Sequence, residues 1–308
     1  MNIVDTLTAG FTTVTKKPWL IAVPVVLDLF LWLGPKLSIA PVIAKMVASF
    51  REAMAIMASS GGQDANLQIM FERMLEELQG TFAQTNWLSL LAWGRLGLPS
   101  IASSKPIIPG VDRVIEISGY QQLLATQILI MALGLFIACI FLGILAQEIR
   151  GENFDLGKLA RRVPLYWWRM ALVFLPLSVT LFLLFSASFL FGAFAFFIWV
   201  SILWALLYLS FVPQAITFAD AKPLFAVWTS FAVVRYNFWS ALGLILLSNL
   251  IATGLGLILR NLLGSAPGTL VAILANAYVG TGLAAAAFVF YRDRFTAWRE
   301  SQRNLRSV

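Results

Sequence analysis

Lys16-Lys17-Pro18-Trp19-Leu20-Ile21-Ala22-Val23-Pro24-Val25-Val26-Leu27-Asp28-Leu29-Phe30-Leu31-Trp32-Leu33 sets two cations, then a tryptophan, then an apolar run broken by one carboxylate. A basic flank, an interfacial aromatic and an apolar interior mark a chain crossing a bilayer. The span they predict, residues 18–34, is on the short side of the roughly 17–25 residues a membrane helix needs. Pro24 frees the carbonyl of Leu20, a mild kink that neighbouring helices absorb.

Composition extends this reading to the whole chain. Of 308 residues, 60% are hydrophobic and only 12% charged, against roughly 25% charged in soluble domains. A soluble fold of that composition would expose large apolar patches, whereas lipid-facing side chains need no cover. The net charge of +7 is assigned to basic residues flanking spans and not to nucleic-acid binding. The one cysteine, Cys139, lies in an apolar run and excludes a disulfide. Histidine is absent, which excludes His-ligated haem and the commonest zinc sites. No metal and no cofactor is expected.

Around the first span the chain divides into four parts. Residues 1–34 hold that span and, before it, Ile3, Leu7, Phe11 and Val14 at helical spacing, read as an amphipathic helix on the cytoplasmic face. A signal peptide cut near Ser38-Ile39-Ala40 is the rival, disfavoured by Pro41 and by Asp28 inside the apolar region. Residues 35–121 are the one hydrophilic block. Val42, Met46, Phe50 and Met54 form one stripe, and Met70, Met74, Leu75 and Leu78 a second, with Glu72, Glu76 and Glu77 opposite as a solvated face. A break at Ser59-Ser60-Gly61-Gly62, with Asp64 placed to cap, makes these a helical hairpin outside the membrane. Trp87–Trp93 is too short to span, and residues 111–117 suit a short strand.

Residues 122–291 carry five further spans: 122–146, 166–185, 186–218 folded back by a turn near Gly192 into a helix ending near Pro213, 239–259 and 269–291. Residues 292–308 form a basic cytoplasmic tail. With both termini inside, 14 of the 22 cations fall on inner segments, as the positive-inside rule requires. The expected fold is therefore all-α: about six transmembrane helices, interfacial amphipathic helices and an extracytoplasmic hairpin. A multi-pass protein of a bacterial inner membrane is the expected setting.

Three spans begin alike, at Lys16-Lys17-Pro18-Trp19, Leu165-Tyr166-Trp167-Trp168-Arg169 and Arg235-Tyr236-Asn237-Phe238-Trp239. Trp19, Trp168 and Trp239 serve as interface anchors, and a polar residue follows each by about ten positions: Asp28, Ser178 and Asn249. A triplication and simple convergence on an aromatic belt both fit. The stretch Ser230–Trp239 and the exit Phe290-Tyr291-Arg292-Asp293-Arg294 resemble uncharacterised six-helix bacterial membrane proteins. Among these are the membrane domain found beside some glycerophosphodiester phosphodiesterases and related domains of unknown function. The resemblance covers the last third of the chain and implies a fold, with no activity attached.

Asp28, Asn249 and Asn276 are the intramembrane polar candidates. A carboxylate at mid-membrane costs at least ~2.5–3.5 kcal/mol on insertion scales, so Asp28 must face the bundle interior. One reading makes it a packing hydrogen bond, the other a proton- or cation-handling group co-lined by the two asparagines. Ser248, Ala252 and Gly256, and Ala277, Thr281 and Ala285, recur at four-residue spacing, which lets helix backbones approach. Spans five and six are expected to pair through them. No nucleophile has a base beside it, and without histidine no ordinary catalytic triad exists.

The expectation is a non-enzymatic membrane component, an accessory or scaffolding subunit packing against lipids and other membrane-protein subunits. The alternative is a small transporter or permease component working through Asp28. No nucleic-acid partner is expected.

Overall fold

A computed structural model describes residues 2–59, 65–92, 96–108, 112–188 and 195–306. The fold is all-α. Among the described residues five helical stretches are long and apolar enough to cross a membrane, and Pro18–Leu33 is a shorter apolar one. The break at 60–64 and the turn near Gly192 lie outside the described residues.

Helix α1 (Ile3–Lys16) opens with a reciprocal cap between Asn2 and Asp5, which satisfies two orphan donors of its first turn. A 3₁₀ turn, Pro18–Ile21, leads into α2 (Ala22–Leu33). Then come the three-residue strand β1 (Lys36–Ser38), α3 (Ala40–Ser59), α4 (Ala65–Gln84) and the strand β2 (Val114–Glu116). Candidate spans follow in α5 (Tyr120–Ile149), α6 (Leu156–Ser188) and α7 (Ala195–Tyr208). A short α8 (Val212–Phe218) and α9 (Pro223–Tyr236) separate these from α10 (Phe238–Arg260) and α11 (Ala266–Arg306).

The core collects on α5 and α11. About half of the apolar window of each is buried, 56% and 50%, against 6% for α6, 17% for the stretch Ala195–Phe218 that runs from α7 through α8, and 11% for α10. Only the first half of α6 is well packed, where Leu159, Val163, Tyr166 and Met170 are buried.

The amphipathic α1 is packed against another helix of the chain. It runs antiparallel along α11, with Gly10 beside Gly282 and Ala286 and Thr15 bonded to Tyr278 at 2.7 Å. Glycine at position 10 removes the Cβ that would hold two backbones apart, the logic of small-residue helix pairing. On α11 the residues meeting α1 are Tyr278, Gly282 and Ala286, while Ala277, Thr281 and Ala285 are all fully buried.

Parts of residues 35–121 pack against the rest of the chain. β1 pairs in parallel with β2, Leu37 opposite Ile115, so the strand expected near 111–117 closes a loop of more than seventy residues. Asn86 Oδ1 accepts from the Leu37 amide at 3.0 Å and from the Leu88 amide at 3.2 Å. The segment 96–104 then packs against α11, with Pro99 at Gly280 and Gly97 at Ala284. Those contacts lie 14 and 18 residues into α11, ~21 and ~27 Å from its start at 1.5 Å per residue. α3 and α4 touch each other, and Arg51 Nε donates to Glu72 at 3.0 Å. Val42 and Leu75 of their apolar stripes are buried, while Met46, Phe50, Met70, Met74 and Leu78 are exposed.

Candidate functional site

Asp28 is fully buried on α2. Its carboxylate takes every hydrogen bond from the inserted segment. The Ser100 hydroxyl donates to Oδ1, the Ile101 amide to Oδ2 at 3.0 Å and the Ala102 amide to Oδ1 at 3.2 Å. The last of these residues opens the 3₁₀ turn Ala102–Ser104, whose first amides have no partner inside the turn. Asp28 caps that turn from another element. Three donors converging on one carboxylate offset its removal from water, as a buried charge requires.

Three residues beyond α2, Lys36 is buried and its Nζ donates to the carbonyls of Leu31 and Trp32, the latter at 2.9 Å. A cation over the last carbonyls of a helix complements its dipole. Burial pushes the Lys36 amine below its usual value, with nearby Lys105 acting the same way and Asp112 opposing.

Beside the inserted segment lies a cavity of about 730 Å³. Its walls come from 96–104, α6, α10 and α11 and from the α7–α8 joint. Asn249 and Asn276 both line it, together with Ser248, Ala252 and Gly256. At Gly256 no helix approaches closely: a Cβ there would meet nothing within 4 Å. Asn249 is exposed and bonded back to the Ile245 carbonyl at 2.8 Å. The structure therefore brings the two asparagines to one space and leaves Asp28 behind the wall, with Ser100 touching both. Two buried atoms at this cavity lack partners, Gln214 Oε1 and Asn276 Nδ2. Each orphan costs ~1–3 kcal/mol while it stays empty.

A third cluster was not visible in the sequence. At the end of α5, Arg150 donates through Nε to the Phe218 carbonyl at 2.8 Å and through Nη2 to the Thr217 carbonyl. Asp220 accepts from the Tyr166 hydroxyl at 2.8 Å, and its own carbonyl accepts from Arg169 at 2.7 Å. Asp220 has φ of 50°, a conformation Asp tolerates better than most residues. These groups are scattered from 150 to 220, and only folding collects them. Arg235, in the last turn of α9, is exposed.

Of the expected anchors, Trp239 is 79% exposed and Trp168 57%, while Trp19 rests against Phe154 with ring centroids 4.6 Å apart. Among the described residues no three His, Cys, Asp or Glu groups come together to hold a metal ion.

No protein family, curated protein or solved structure matches the chain.

Proposed function

We propose that this chain is a non-enzymatic, multi-pass membrane component that packs against other membrane proteins as an accessory or scaffolding subunit. The observation that carries this reading is the uneven packing of its spans. α5 and α11 form a buried centre, while α6, α7 and α10 present almost all of their apolar windows outward. Membrane helices associate by packing and interhelical hydrogen bonds, so three loosely held helices in one chain suit contacts with helices of another. The exposed Met- and Phe-bearing face of α3 and α4 adds an adaptable surface outside the spans. In this reading the bilayer is a bacterial inner membrane, six segments cross it with the 18–34 stretch as the first, and both termini are cytoplasmic.

The transporter alternative needs a carboxylate that meets solvent and exchanges a proton or cation. Asp28 is instead packed beneath 96–104 with both oxygens engaged, which favours an anchoring role. Gentle detergent extraction followed by native mass spectrometry tests the choice. A defined complex with other membrane proteins supports the subunit reading. A monomer that carries proton-coupled flux in liposomes, lost in Asp28→Asn, supports the transporter.

A further inference from the structure

The subunit reading leaves unused the polar residue that follows each interfacial tryptophan by ten positions. Ser178 lies ten residues past Trp168 and Asn249 ten past Trp239, while Asn276 lies ten past the start of α11. Ten residues at 1.5 Å rise set each of them ~15 Å along its helix, half of a ~30 Å hydrocarbon core. All three line the cavity beside 96–104. Three helices thus bring polar groups to one space at one depth.

The segment 96–104 gives the same indication. Most of it borders the cavity, Ser100, Ser103 and Ser104 included, and it reaches into the bundle, with Pro99 against Gly280. Irregular backbone at membrane depth is tolerated where protein buries it or where it lines a water-filled space. At about 730 Å³ the cavity has room for several waters, each of which takes ~30 Å³ in the liquid. Gln214 Oε1 and Asn276 Nδ2, buried and without partners, can each take a water of its own, so the two need not be neighbours.

One face of α10 marks the way in. Asn249, Thr253, Gly256 and Arg260 follow one another at steps of four, three and four residues, and all line the cavity. That spacing keeps them on one side of the helix, a track of ~16 Å from mid-depth to the helix end. The open space at the Gly256 Cβ position shows that no neighbour blocks it. The other end is closed. Phe211, a buried wall residue, stacks on Phe290 of α11 with ring centroids 5.2 Å apart, and the wall residues Leu244 and Leu283 are buried too.

Charge sets what enters. Among the described residues that line the cavity, Arg260 is the one charged side chain. A lone cation at an opening concentrates anions and repels cations.

We propose that this cavity is a water-filled vestibule, entered at the Arg260 end of α10 and blind at the Phe211–Phe290 pair, that admits small anionic and uncharged solutes to mid-membrane and holds cations back. It stands whether or not the chain is an accessory subunit.

The test measures modification of introduced cysteines in the purified full chain, held in phosphatidylcholine nanodiscs. The probes are thiosulfonates carrying a sulfonate or a quaternary ammonium, each rate normalised to that of a free thiol. The native Cys139 is fully buried and supplies the background. Asn249 and its neighbour Leu250 are both exposed in the isolated chain, and of the two Asn249 alone lines the cavity. Asn249→Cys and Thr253→Cys are expected to react with the sulfonate at least ~tenfold faster than Leu250→Cys, because hydrocarbon excludes a charged reagent. At Asn249→Cys the sulfonate is expected to outpace the ammonium severalfold, an advantage lost in Arg260→Gln. Gly256→Trp, added to Asn249→Cys, is expected to slow its modification severalfold while the protein elutes and melts as before. Equal rates at positions 249 and 250 would overturn the proposal, since lipid would then fill the cavity or water would reach both faces alike. A preference for the ammonium, a sulfonate preference untouched by Arg260→Gln, or no slowing by Gly256→Trp would overturn it as well.

Discussion

Gly10 of α1 lies so close to Gly282 of α11 that a Cβ on Gly10 would fall 2.5 Å from the Gly282 carbonyl oxygen and 2.5 Å from the Ala286 amide nitrogen. Both neighbours are backbone and have no rotamer with which to yield. Gly10→Leu is therefore expected to separate the two helices and to destabilise the protein by at least the ~1–3 kcal/mol typical of overpacking. Thermal unfolding in detergent checks it, and an unchanged midpoint would show that α1 is not docked there. Gly254→Leu is the control, because a Cβ at Gly254 meets nothing within 4 Å.

Asp28 ties the 96–104 segment to α2. Asp28→Ala strands the Ile101 and Ala102 amides and the Ser100 hydroxyl, at ~1–3 kcal/mol for each group left without a partner. Asp28→Asn keeps one carbonyl acceptor and is expected to be the milder change. Protease sensitivity within 96–108 should rise in the alanine variant and stay near the parent in the asparagine one. Equal behaviour of the two would mean that the carboxylate is not the anchor.

How much of this was legible beforehand is clear from these two residues. Asp28 stood out because an isolated carboxylate in an apolar run must find partners, and hydrophobic periodicity placed the long helices. Its partners were not legible. Leu96–Ser104 contains Pro99 and three serines, which read locally as irregular surface chain, and nothing local says that it inserts beside α11. The same limit hid the cluster at Arg150 and Asp220. Small residues at four-residue spacing say that something packs closely without saying what, so α1 went unrecognised as the partner of Gly282 and Ala286. On α10 the same spacing borders a cavity instead.

At the α5–α8 junction, the bonds from Arg150 to the Thr217 and Phe218 carbonyls should outweigh its ion pair with Asp220. That pair is 3.5 Å apart with the Asp220 side chain 46% exposed, a geometry that contributes ~0–1 kcal/mol. Hydrogen bonds from a charged donor contribute ~1.5–3 kcal/mol. Arg150→Ala should therefore lower stability clearly more than Asp220→Asn. The reverse order in a thermal-shift series would make the ion pair the main latch.

Asp155 precedes α6 and its Oδ1 accepts from the Lys158 amide at 3.1 Å. That bond, with help from the Gly157 amide and from Lys158 and Arg161, holds its carboxyl below the usual value. A depressed carboxylate pKa gives stability that is present above the unfolded value of 3.8 and is lost as pH falls through the folded value. The parent should thus lose more stability than Asp155→Asn on acidification below 3.8. Parallel pH profiles would show that the cap is not formed.

The subunit reading is tested most directly by photocrosslinking in the native membrane, with benzoyl-phenylalanine at Leu175 of α6, Phe196 of α7 or Leu250 of α10, all widely exposed in the isolated chain. Discrete adducts with other membrane proteins from at least one of the three positions are predicted. Adducts with lipid alone from all three would contradict the account.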